Sequence, residues 1–213
     1  IMTRRKDFTK WPLSCKAGIL VILIYSISII ISWMLFPKPF NPLNNYLSDL
    51  GNYGWNPIGA FFFNFGNILT SLALIPFYIG FKDLYHKKKK NKKLIIKVQI
   101  VGLISAVSLA MIGVFSEDFR IIHIFWSAIY FMLNLILFLL GSVILYTYEA
   151  PNVEEVQFKR GGLIALAISI LNLSFVAYYG ISGSGPLLEW MTVICSLGFV
   201  GLLVYFGRFV TDV

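Results

Sequence analysis

The chain has 213 residues, of which 58% are apolar and only 13% charged, and its formal net charge is +8. Typical globular chains hold about 45–50% apolar and about 25% charged residues, so an ordinary soluble domain is excluded. A positive balance in a soluble chain would point to nucleic acid. Here the cations read as topology determinants that touch anionic headgroups, so the expected partners are membrane lipids and no nucleic acid is expected.

A helix needs about 20 apolar residues to cross about 30 Å of hydrocarbon. Six segments qualify: residues 17–36, 58–81, 94–115, 121–146, 161–181 and 187–209. Strand alternation is absent, which argues against a β-barrel. The expected fold is therefore all-α, a polytopic integral membrane protein with six transmembrane helices in one domain over residues 1–213. The expected location is the cell membrane, as a multi-pass protein. The first apolar segment exceeds the usual signal-peptide length of about 7–15 residues and leads into Pro37, so it is read as a span.

In chain order, Arg4, Arg5, Lys6, Lys10 and Lys16 precede the first span. Lys82, Lys87–Lys90, Lys92, Lys93 and Lys97 fall between the second and third, Lys159 and Arg160 before the fifth, and Arg208 at the end of the sixth. With six spans all of these share one side, and only Lys38 and Arg120 fall on the other. The positive-inside rule then puts both termini in the cytoplasm. Cys15 and Cys195 lie at different depths, too far apart to bridge.

The opposite side carries the acids. Asn41 to Gly51 has the punctuation of a short helix: Asn41 as cap, Pro42 at the first position, Gly51 as the stop. Leu43, Tyr46, Leu47 and Leu50 follow i, i+3, i+4, i+7, which predicts an amphipathic helix at the outer surface, with Asn45, Ser48 and Asp49 mostly on its polar face. Asn56 and Pro57 form a second cap before the second span. Ser116 is the expected cap of the fourth, with Glu117 and Asp118 in its first turn, where the helix dipole favours anions. Capping alone accounts for much of those two acids, but not for His123, which sits nearly two turns in.

Within the spans, His123, Ser127, Tyr130 and Asn134 recur at i, i+4, i+7, i+11 and form one polar face. Asn64, Asn67 and Ser71 answer from the second span, Ser169 and Asn172 from the fifth, Glu189, Thr192 and Ser196 from the sixth, and Tyr25, Ser28 and Ser32 from the first. Asn64, Asn67, Asn134 and Asn172 lie at similar depths, roughly 9–16 Å from the outer ends at helical rise. An outward-open polar cavity lined by Asn64, Asn67, Tyr130, Asn134 and Asn172 unites them. The competing reading is interhelical hydrogen bonding that only holds the bundle together.

Several chemistries are excluded. No lysine lies deep within a span, which removes a retinal Schiff base. The chain has two histidines, His86 and His123, on opposite sides, which removes a bis-histidine haem or a three-histidine zinc site. No phosphate-binding glycine loop appears, so no nucleotide is expected. The remaining groups support three chemistries. Asp49, Glu117, Asp118 and His123 are of the types that ligate a divalent metal. Asp49, His123 and Glu189 with Ser48 are of the types that provide a general base and a nucleophile, as in a membrane-embedded hydrolase or lipid-modifying enzyme. The same carboxylates suit a cationic headgroup or a proton relay. Non-enzymatic lipid binding or scaffolding is the alternative to catalysis, and transport comes third, because no half-repeat is evident. Nothing in the sequence specifies an oligomeric state.

Residues Asn45, Tyr46, Leu47, Ser48, Asp49, Leu50 and Gly51, followed by Asn56-Pro57 and Phe63-Asn64, resemble the first-loop signature of a prokaryotic six-span family. It is catalogued as domain of unknown function nine-nine-eight, and the resemblance extends over essentially the whole chain. Gly113, Phe115, Glu117, Asp118 and His123 are similar to the second half of its pattern. Both motifs are distantly similar to the eukaryotic FRAG/DRAM/SFK membrane family, which includes a lipid-remodelling factor and autophagy modulators. The resemblance implies six spans and importance for Asp49 and His123, and it supplies no catalytic residues.

Overall fold

The computed structural model describes residues 8–85, 92–147, 154–182 and 185–208. The cations Arg4, Arg5, Lys6 and Lys87–Lys90, and His86, lie outside these residues. Six long helices account for most of the chain: α1 (Leu13–Met34), α2 (Gly59–Ile79), α3 (Lys92–Val114), α4 (Arg120–Thr147), α5 (Glu154–Ser182) and α6 (Pro186–Gly207). Each contains a stretch long and apolar enough to cross a membrane. Helix α5 begins well before the apolar segment expected at 161. Hydropathy marks the part suited to hydrocarbon, whereas Glu, Gln, Lys and Arg are good helix formers that let the backbone run past it. Pro186 occupies the first turn of α6, where its missing N–H costs nothing.

The helices pack in chain order, each on the next, and α6 returns to α1 and α4 to close the ring. Their outward faces are apolar: Leu20, Leu23, Ile27 and Ile30 make an exposed stripe along α1, while Cys15, Gly18 and Val21 turn inward. This inversion of the soluble pattern is what lipid as solvent permits. Close helix contact requires small residues at particular points. A side chain on Gly102 of α3 would run into the ring of Tyr78, which α2 presents against it.

The segment between α1 and α2 departs from expectation. Instead of one amphipathic helix over 41–51 there is a turn capped by Asn41, whose Oδ1 accepts the N–H groups of Leu43 (3.0 Å) and Asn44 (3.1 Å), and then a short 3₁₀ helix over Ser48–Gly51. Leu47 and Leu50 are 1% and 0% exposed, packed in a cluster with Ile29, Phe63, Trp190 and Val193, while Leu43 is 70% exposed. The helix stops because its carbonyls are taken. Asn56 Nδ2 donates to Leu50 O (3.0 Å) and to Ser32 O (3.1 Å), Ser32 Oγ donates to Leu50 O (3.1 Å), and Asn64 Nδ2 donates to Gly51 O (2.8 Å). The loop therefore plugs the end of the bundle rather than lying on its surface. Asn56 is correspondingly not a side-chain cap for α2, since its amide is spent on α1 and the loop.

Candidate functional site

The acidic groups gather where the plug meets the α3–α4 turn and the start of α6. Asp49 is buried in the 3₁₀ helix, and its Oδ2 accepts the Tyr46 N–H at 2.9 Å. Burial pushes its carboxyl above the usual carboxylate range, and the Tyr46 N–H and the Asn45 amide pull it part of the way back. Glu189, in the first turn of α6, receives the Ser48 N–H and hydroxyl on Oε2, both at 3.4 Å. The next residue, Trp190, donates its indole N–H to Asn45 O at 3.0 Å and so ties α6 to the plug. Asp49, Glu117 and Glu189 lie close enough to repel one another, and Arg120 offsets part of the charge on Glu117. Three elements distant in sequence thus bring three carboxylates together.

His123 joins them through Glu117. Its Nδ1 lies 2.8 Å from Phe115 O, a group that can only accept, so Nδ1 carries a proton. Its Nε2 lies 3.4 Å from Glu117 Oε2. That contact becomes an ion pair when the ring is protonated. The ring is held from the other side by the α3 C-terminus.

Asp118 does something else. Its Oδ2 accepts the Tyr53 N–H (3.0 Å) and the Ser116 hydroxyl (2.7 Å), and its Oδ1 the Gly54 N–H (3.4 Å). It clips the turn before α2 to the turn before α4. Ser116 is therefore not the cap expected for α4, because its hydroxyl is drawn to Asp118. Among the described residues, no three His, Cys, Asp or Glu side chains form a group that could hold a metal ion. The set Asp49, Glu117, Asp118 and His123 expected from the sequence is not drawn into one ligand shell: Asp118 is committed to backbone amides and His123 Nδ1 to a carbonyl.

Residues 19–205 match the family described as "Protein of unknown function (DUF998)". The chain belongs to this family. No curated protein and no solved structure matches it.

Below the acidic cluster, the polar residues of this DUF998 protein divide. Tyr130 and Asn134 wall a cavity of about 40 Å³ inside the bundle, together with Tyr25, Thr70, Tyr78 and Ser196. Asn64, Asn67 and Asn172 are not among its walls. Asn64 holds the plug through Gly51, and Asn172 donates to Thr192 O at 3.4 Å across α5 and α6. Both side-chain atoms of Asn67 are buried without a protein partner. Thr70 and Tyr78 were not singled out in the sequence, yet the signal was present. They lie at i+3 and i+11 from Asn67, on one helical face with it. A threonine and a tyrosine in an apolar helix simply carry less weight than asparagines do.

Proposed function

We propose that this protein binds the cationic headgroup of a membrane lipid at its acidic end, and that this end faces away from the cytoplasm. The orientation rests on the cations at the opposite end of the helices, among them Lys16, Lys82, Lys92, Lys93, Lys97, Lys159, Arg160 and Arg208. The observation that carries the binding reading is the convergence of Asp49, Glu117 and Glu189. Carboxylates crowded in a poorly hydrated setting must take up protons or a cation to relieve their repulsion. Beside Glu189 stands an aromatic cluster, with Trp33 5.3 Å from Trp190 and 5.7 Å from Phe40 between ring centroids. Carboxylates next to aromatic rings are the chemistry that receives an ammonium group. Native mass spectrometry of the protein in nanodiscs of mixed phosphatidylethanolamine and phosphatidylglycerol tests it. Amine-bearing lipid is expected to stay bound preferentially, and the preference to vanish in the Asp49→Asn, Glu189→Gln double variant. Equal retention of both lipids, or preference for the glycerol headgroup, would sink the reading.

The bond from Ser48 Oγ to Glu189 supports a second reading, a lipid-modifying hydrolase in which Glu189 activates Ser48 as nucleophile. In that case Ser48→Ala abolishes lipid turnover in reconstituted vesicles while lipid retention persists. His123 is poorly placed as the base in such a reaction, because both ring nitrogens are engaged.

A further inference from the structure

We propose that the cavity between α1, α2, α4 and α6 is an internal water site. The cavity has about 40 Å³ of room, and a water needs at least about 10–15 Å³, so it accommodates two or three. Its walls require them. Thr70 Oγ1 and Asn134 Nδ2 are buried without a protein partner, on residues only 2% and 5% exposed. A buried water characteristically bridges two to four such groups, and the Tyr25, Tyr78 and Tyr130 side chains that share the walls supply the rest.

Tyr25 of α1, Thr70 and Tyr78 of α2, Tyr130 and Asn134 of α4 and Ser196 of α6 line this one space. The ligand is water. The site does not depend on the headgroup reading.

Radiolytic hydroxyl labelling of the protein in nanodiscs made up in 18O-water tests this, because internal waters generate radicals beside otherwise shielded rings. Phe77 is expected to label at least about tenfold faster than Phe158: both rings are 1% exposed, and of the two only Phe77 is a wall. Labelling of Phe77 no faster than Phe158 overturns the water site. Thr70→Val gives an independent reading. If the hydroxyl is water-bonded, the near-isosteric valine loses those bonds and the melting temperature falls by about 2–4 °C. A rise in melting temperature would mean the hydroxyl was dry, and the proposal would be wrong.

Discussion

Asp49 shows how one carboxylate ties stability to pH. Its folded pKa is raised, chiefly by burial. The folded state therefore binds its proton more tightly than the unfolded chain does, whose aspartate has a pKa near about 3.9. The stability this contributes is fully present below the unfolded pKa and is lost as pH rises through the folded one. Asp49→Asn keeps an acceptor for the Tyr46 N–H and removes the titration. The melting temperature of this variant is expected to decline less from acid to neutral pH than that of the parent, and a parallel decline in both would refute the assignment. Substitutions at Glu117 test its contact with His123. Glu117→Gln supplies an amide N–H to His123 Nε2 and is expected to leave stability within about 1 kcal/mol, whereas Glu117→Leu strands the buried nitrogen and costs about 1–3 kcal/mol. Equal melting temperatures for the two variants would show that the pair contributes nothing.

At the scale of elements, the plug over residues 35–58 holds because side-chain amides reach its carbonyls. Asn56 alone donates to Leu50 O, Ser32 O and Ser32 Oγ. Asn56→Ala removes the donor from buried acceptors, which costs about 1–3 kcal/mol. The loss is local, so limited proteolysis between Phe36 and Pro57 is expected to accelerate while the six helices keep their ellipticity. Global loss of helix instead would mean that the plug nucleates the bundle rather than sealing it. Asp118 works at the same scale, pinning Tyr53 and Gly54 to the α3–α4 turn. Its acidity was readable as capping in the sequence, but the backbone it caps is 65 residues away, which no local pattern can specify.

At the scale of the molecule, the charge distribution predicts topology. In a Cys195→Ser background, where the remaining Cys15 is buried, Asn44→Cys is expected to react with a membrane-impermeant maleimide in intact cells and Lys92→Cys only after permeabilisation. The reverse pattern would invert the proposed orientation and move the acidic site to the cytoplasm. The ring of helices also explains why the polar residues share so little. Tyr130 and Asn134 face the shared interior, while Asn172 is spent between α5 and α6 and Asn64 on the plug. The asparagines among them lie at similar depth, and depth is what a sequence reveals. The azimuth of each helix against its neighbours is set by packing.

The amino-acid sequence by itself determined the spans, the membrane character and the family, because crossing hydrocarbon demands long uninterrupted apolar runs that are visible residue by residue. It also marked Asp49, His123 and Glu189, since charged and imidazole groups near span ends are conspicuous against an apolar background. Only the tertiary structure decided their associations. Glu189 met Ser48, His123 met Glu117, and Asp118 left the cluster for the Tyr53 amide. The reason is physical. Helix formation and membrane insertion depend on local composition, whereas a hydrogen bond across the bundle depends on loop anchoring and helix rotation, which arise only when all six helices pack at once.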